Sequence, residues 1–214
     1  MKMITIVAGD SEHGRLIKRR SGKGSPVLFL TESKEDSGDS AKKDTEDSIV
    51  WNKRSPLSAR NSVLTVLNRH KKIDNAFIIY QPGSFNKTFH EISSPVYDLQ
   101  IDRWIKGYGY LMKEIIQLFI KQQSGSVSLI IDTGGLKIMT PIESAIFSYL
   151  KALVQNLSIL YQNEPFRIYC FESDSTRRED FTDFIFKTLE DLKHSPGKNY
   201  KFTDKKGLFD FAKK

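Results

Sequence analysis

Residues 101–135 read IDRWIKGYGYLMKEIIQLFIKQQSGSVSLIIDTGG, and this stretch decides the fold. Its first part, 101–123, carries Ile101, Ile105, Leu111, Ile115, Leu118 and Phe119 at helical spacing. Gly107 and Gly109 let a neighbouring element come close. After Ser124 and Gly125 the pattern changes. SVSLIIDTGG is almost continuously apolar and stops at two glycines. Such a run predicts a strand buried on both faces, the signature of a parallel sheet covered by helices.

The alternation continues in both directions. Toward the N-terminus, NAFIIYQPG (75–83) predicts a strand ending at Pro82 and Gly83. Residues 58–72 predict a helix through Val63, Leu64, Val66 and Leu67. SIVW (48–51), PVLFLTE (26–32) and MITIVAG (3–9) predict strands, and GRLIKRR (14–20) a short basic helix. Toward the C-terminus, PIESAIFSYLKALVQNLSILYQ (141–162) predicts a helix opened by Pro141. FRIYCFES (166–173) predicts a strand, REDFTDFIFKTLEDLK (178–193) a helix, and KNYKF (198–202) a last strand. The expected architecture is a three-layer, doubly wound, Rossmann-like parallel sheet with helices on both faces. The chain of 214 residues fits one domain, 1–214. Two segments stand apart. Residues 33–48 are Ser-, Asp- and Lys-rich, read as a flexible acidic loop, and 198–214 form a polar tail.

Composition narrows the function. The net charge of +7 is split between Lys18, Arg19, Arg20 and Lys23 and the C-terminal tail, with acidic residues between them. That distribution reads as a solvated basic surface, and no nucleic-acid module accompanies it, so nucleic acid is not the expected partner. No apolar run is long enough for a membrane helix. MKMITIVAGD lacks a signal-peptide pattern, so a cytoplasmic protein is expected. Cys170 stands alone, which excludes an internal disulfide and a cysteine metal cluster.

Ligands of doubly wound sheets sit beyond the carboxyl ends of the strands, where a glycine turn lets phosphate approach a helix N-terminus. That turn reads Gly9-Asp10-Ser11-Glu12-His13-Gly14. Asp10 and Glu12 put negative charge where a pyrophosphate would lie, with Arg15 or Lys18 as candidates to offset it. Ser21-Gly22-Lys23-Gly24-Ser25 is not a P-loop, because Gly24 follows the lysine and a strand follows the cluster.

The order VAGDSEHG, IDNAFIIYQPG, IDRWIKGYGYLMKEIIQLF, SGSVSLIIDTGG and IFSYLKALVQNLS resembles the short-chain dehydrogenases/reductases over roughly residues 3 to 185. The resemblance implies NAD or NADP binding and oxidoreductase chemistry. In that family a helix carries tyrosine and lysine four residues apart, on one face. The lysine holds the cofactor ribose and lowers the tyrosine pKa, and the tyrosine moves the proton. Aligned here, Lys151 takes the lysine position and Phe147 the tyrosine position. The family serine falls on Thr133 or Gly134, its helix asparagine near Lys106, and its adenine-contacting aspartate on Asn52.

The glycine turn keeps Gly9, with Ser11 beside it, and Gly14 if one residue is deleted. The stretch after the fourth strand reads Tyr80-Gln81-Pro82-Gly83, leaving Gln81 and Gly83 as its cofactor candidates. The Pro-Gly pair after the sixth strand reads Glu172-Ser173-Asp174. The expected cofactor-binding set is therefore Gly9, Ser11, Gly14, Asn52, Gln81, Gly83 and Lys151. The expected catalytic set is a degenerate Lys151 and Thr133.

Phenylalanine has no proton to give. The resemblance thus implies a divergent member without standard dehydrogenase activity, a binding or assembly protein, with NAD or NADP bound weakly or not at all. The alternative is an NAD(P)-dependent oxidoreductase with a non-standard proton donor, drawn from Tyr149, Thr133, His90 or water. Tyr149 sits about 200° around the helix from Lys151 and should face away from the site. The resemblance also implies a homodimer through helices 101–123 and 141–162, which carry Trp104, Tyr108, Tyr110, Phe119, Tyr149, Leu153 and Tyr161.

Overall fold

The structure, a computed structural model, describes residues 2–9, 12–22, 24–32, 47–83, 85, 87–191 and 195–203. Among them, seven strands form one sheet: β1 (Thr5–Ala8), β2 (Val27–Glu32), β3 (Ser48–Trp51), β4 (Asn75–Tyr80), β5 (Ser126–Asp132), β6 (Arg167–Ser173) and β7 (Asn199–Phe202). The order is β3-β2-β1-β4-β5-β6-β7. Every pairing is parallel. The chain reverses its winding between β1 and β4, so that junction is the topological switch point.

The helices are α1 (Glu12–Arg20), α2 (Pro56–His70), α3 (Ser94–Gln100), α4 (Gly107–Gln122), α5 (Pro141–Leu160) and α6 (Arg178–Glu190). Alternate residues of each strand serve opposite faces. Ile6, Ile78 and Leu129 pack against α2, α4 and α5 through Val66, Leu111, Ile115, Ile146 and Leu150. Val7, Phe77, Ile130 and Phe171 pack against α1 and α6 through Ile17, Phe181 and Ile185. This is the three-layer, doubly wound arrangement expected from the apolar pattern.

Element ends follow local chemistry. The Ser55 Oγ accepts the Ser58 N–H at the start of α2, Pro56 fills its first turn, and Lys71 closes it at φ 68°. The α2 start lies two residues before the expected one. The helix expected at 101–123 begins earlier, at Ser94, and passes through a π-helical turn, Ile101–Lys106, into α4. Nothing in α3 is buried, so no apolar periodicity announced it. Gly107 is required by packing: a Cβ there would lie 2.7 Å from the Lys53 carbonyl oxygen.

Ser48, placed by its composition in the acidic loop, is the first residue of β3, and the rest of that loop, 33–46, lies outside the described residues. The strand expected at KNYKF is β7, and the tail from 204 on lies outside the described residues. Among the described residues no helix is long and apolar enough to cross a membrane.

Candidate nucleotide cleft at the carboxyl edge of the sheet

At the switch point β1 ends on Gly9. Its φ is 128°, and a Cβ would sit 2.9 Å from the Ile79 carbonyl oxygen, so only glycine lets β1 turn here against β4. Gly14 is buried in α1, where a Cβ would come within 2.9 Å of Phe29 Cε1 and 3.4 Å of Val7 Cγ1. It does the work of a helix–strand packing glycine. Ser11 lies outside the described residues.

Beside this turn lies a network that joins the starts of α1 and α6 to the end of β5. Asp132 is fully buried. Its Oδ2 accepts Arg178 Nε at 2.9 Å and lies 3.1 Å from His13 Nε2. Its Oδ1 accepts the Gly134 N–H at 2.8 Å. Burial alone would raise the Asp132 carboxyl; the bonds from His13, Arg178 and Gly134 outweigh it and hold the group below its ordinary value. Arg178 also donates through Nη1 to Glu12 at 2.7 Å. The negative charge at the α1 N-terminus is therefore offset by Arg178, 166 residues away, and not by the expected neighbours. Lys18 pairs instead with Asp47 at 2.7 Å.

A second cluster closes the β2–β3 end. A ribose-binding acid lies about 20 residues beyond the glycine turn in dinucleotide folds. Glu32, the last residue of β2, occupies that place. Arg103 grips it bidentately, Nε to Oε1 at 2.7 Å and Nη2 to Oε2 at 2.6 Å. Lys53 Nζ stands 3.7 Å from Glu32 Oε2 and 4.0 Å from the Trp104 ring centroid. Burial pulls the Lys53 amine down to about 8. Asn52 is half-buried and uses Oδ1 to accept the Arg54 N–H, a turn contact.

The remaining expected residues sit on β4, β5 and α5. Glu143 is buried in the first turn of α5. Its Oε1 accepts the Gly83 N–H at 2.7 Å and the Phe85 N–H at 3.3 Å. Its Oε2 accepts the Thr140 N–H and hydroxyl at 3.1 and 2.9 Å. Gly83, with φ 104°, has Leu136 against it: a Cβ would lie 2.8 Å from Leu136 Cδ2. Gln81 is half-buried. Thr133 donates its hydroxyl to the Ser173 carbonyl at 3.0 Å and so caps the strand end. A Cβ on Gly134 would collide with the Ser175 carbonyl, so the loops after β5 and β6 touch backbone to backbone.

Glu143, Phe147 and Lys151 follow at four-residue intervals on one face of α5. Lys151 Nζ lies 5.4 Å from the Phe147 ring centroid and donates to Glu172 Oε2 at 2.7 Å. Asn199 Nδ2 donates to the same oxygen at 2.6 Å. Burial disfavours the Glu172 carboxylate, yet these two bonds keep it below its ordinary range. Tyr149 faces the other way, into a groove between α4 and α5. His90 is exposed on a 3-10 turn, Phe89–Glu91. Among the described residues no cluster of metal ligands occurs.

A dinucleotide needs a glycine turn, a ribose acid and open space over the second half of the sheet. The first two are present as Gly9, Gly14 and Glu32. Over the second half, Leu136 lies against Gly83, Gly134 lies against Ser175, and Lys151 is held by Glu172. Lys151, at the position where the family lysine would hold the cofactor ribose, has its ammonium engaged by Glu172.

No family model matches the sequence, and no curated protein matches it. Solved structures do. A short-chain dehydrogenase from Streptomyces avermitilis superposes with a TM-score of 0.73 at 16% identity, over 95% of this chain and 88% of its own. A metagenomic short-chain oxidoreductase in complex with NADP gives 0.74 at 16% identity, over 94% and 96%. Serine dehydrogenase from Escherichia coli gives 0.71 at 15% identity, over 94% and 97%. The fold is that of the short-chain dehydrogenases/reductases, which the order of strands and helices had implied.

Sequence reasoning missed Glu32, Arg103, Glu143 and the His13–Asp132–Arg178 set. Glu32 had a signal, an acid at the end of β2 at the right distance from the turn. The others had none, since their partners lie 46 to 119 residues away.

Proposed function

We propose that this chain is a divergent short-chain dehydrogenase/reductase-like protein without standard dehydrogenase activity, acting as a binding or assembly protein in the cytoplasm. One observation carries the reading: the Lys151 ammonium is spent on Glu172, with Phe147 beside it where a proton donor would stand. Neither half of the tyrosine–lysine device can then act. The hydroxyl that would donate is missing, and the ammonium that would lower its pKa is neutralised. Thr133 does not replace it, because its proton is given to the Ser173 carbonyl.

The partner in this reading is a second copy. Tyr149, Leu153, Leu157 and Tyr161 of α5 and Met112, Ile116 and Ile120 of α4 line a groove of about 430 Å³ on the outer face. Ile120, Tyr149, Ile159 and Leu160 expose 37, 39, 50 and 70% of their surface. Two such apolar faces related by a twofold axis would cover each other. The expected aromatic list divides here: Tyr108 and Phe119 are fully buried in the core, Tyr161 packs half-buried against it, and Tyr149 is exposed.

A second reading, a working NAD(P)-dependent oxidoreductase, is favoured by the NADP-bound structure that shares this fold and by the positive φ of Gly9 at the end of β1. Calorimetric titration with NADH and NADPH separates the two. No heat at millimolar cofactor supports the binding protein, and micromolar affinity refutes it.

A further inference from the structure

Lys53 lies just past β3, and its backbone is held against the first turn of α4 at Gly107. The residue is 6% exposed. Its Nζ stands over three rings, with centroids at 4.0 Å for Trp104, 5.1 Å for Tyr108 and 5.7 Å for Trp51. The rings brace one another. Trp51 stacks on Tyr108 at 5.9 Å, and Trp104 meets Tyr108 edge-on at 5.4 Å. Such a box has the shape and polarity that receive an ammonium.

The hydrogen bonding does not complete it. Glu32 Oε2 is 3.7 Å from Nζ, longer than a hydrogen bond. Both Glu32 oxygens are taken by the Arg103 fork, at 2.7 and 2.6 Å. The Tyr108 hydroxyl is committed to the Ile79 carbonyl oxygen at 2.6 Å. Two cations thus share one carboxylate, and Arg103 has the better geometry. A desolvated ammonium in this position gives up its proton, and burial does pull the amine down to about 8. What remains is a neutral primary amine, braced by rings and carrying a lone pair, which is an activated nucleophile.

We propose that Lys53 is a covalent site for a small aldehyde, held as a Schiff base. The proposal is independent of Phe147, Lys151 and any dinucleotide. The Nζ lone pair attacks the carbonyl carbon, the N–C bond forms, and the carbonyl π pair goes to oxygen. The nitrogen loses one proton and the oxygen gains one, giving a carbinolamine. The hydroxyl then leaves as water with a second proton, and the C=N bond forms as the nitrogen gives up its other hydrogen. One amine and one aldehyde yield one imine and one water, with nothing oxidised or reduced. The protons exchange with solvent, which reaches Glu32, 30% exposed.

The surroundings select the class of electrophile. An imine nitrogen can take up a proton, so this adduct can restore a cation between Glu32 and the Trp104 ring. A carbamate formed from carbon dioxide would set a second negative charge beside Glu32. An acyl adduct would be permanently neutral in a box suited to a cation. The aldehyde is a short one, because only 7% of the Lys53 side chain is exposed.

The test incubates the full chain with a concentration series of acetaldehyde, quenches with sodium borohydride to fix each imine as an N-ethyl amine, and maps the peptides by mass spectrometry. At about pH 7.5 roughly a quarter of an amine titrating near 8 is neutral, against about a thousandth of an ordinary lysine. Lys53 should therefore half-saturate at an aldehyde concentration at least about tenfold below that of the other lysines. Its half-saturation should stop falling once the pH passes about 8, while theirs falls on towards about pH 10. Lys53→Met is the control: the high-affinity adduct disappears, labelling of the other lysines is unchanged, and the melting temperature shows the fold intact. A preference below tenfold, no adduct at Lys53, or a half-saturation at Lys53 that follows the other lysines in pH overturns the proposal.

Discussion

Lys151 and Glu172 meet at 2.7 Å, Nζ to Oε2, one turn along α5 from Phe147. The pair has a direct consequence for any attempt to restore a proton donor. Phe147→Tyr would put a phenol beside an ammonium already neutralised by a carboxylate. NAD(P)H turnover, followed by cofactor absorbance, is expected to stay at background in the single variant. Turnover gained by Phe147→Tyr alone would show that the rest of the dehydrogenase site is intact.

Asp132 joins three elements from a fully buried position. Removing one partner of a buried charge cluster leaves the others uncompensated, which typically costs about 3–5 kcal/mol. Asp132→Ala should lower the unfolding free energy by about 3 kcal/mol in a urea titration. The pH dependence follows from the depressed carboxyl. Its stabilisation is complete above the unfolded value, about 3.9, and is lost as pH falls through the lower folded value. Wild type should lose this contribution in acid, and Asp132→Ala should show a flatter acid limb.

Lys53 titrates in the opposite direction from a paired lysine. Burial lowers its amine from 10.5 to about 8. Between those values the unfolded chain binds the extra proton, so stability rises with pH across this window. Lys53→Met removes the buried charge and leaves Glu32 with its Arg103 fork. The variant should be more stable than wild type at pH 7, with an advantage that shrinks between pH 8 and 10.5. Equal pH profiles of the melting temperature would contradict the burial of the charge.

Glu143 ties the loop after β4 to the first turn of α5 by accepting two backbone N–H groups from that loop. Hydrogen bonds to a charged group contribute about 1.5–3 kcal/mol each to stability. Glu143→Ala should destabilise by about 2 kcal/mol and raise amide exchange at Gly83 and Phe85. Unchanged exchange there would refute the tie.

In the proposed dimer the outer face of α4 and α5 is the interface. Tyr149→Glu places a charge on a residue 39% exposed in the single chain, so the fold should tolerate it. Sedimentation should report a dimer for the wild type and a monomer for the variant, with a similar melting temperature. A wild-type monomer at micromolar concentration would refute the interface.

The apolar runs alone determined the fold. Strands such as Phe77–Tyr80 and Leu129–Ile131 are buried on both faces, as strands of a parallel sheet between two helical layers are. The same local chemistry made Phe147 beside Lys151 legible, because four residues on a helix is one turn. Some boundaries were not legible: α3 buries nothing, and so left no period to read. The state of the site was decided by tertiary structure. Whether Lys151 is available depends on Glu172 and Asn199, and whether Glu12 repels a phosphate depends on Arg178. How closely the loops after β4, β5 and β6 approach one another depends on Leu136 against Gly83 and Ser175 against Gly134. Apolar periodicity is written in neighbouring residues, but the partner of a charge is chosen by the crossovers that bring distant strand ends to one edge.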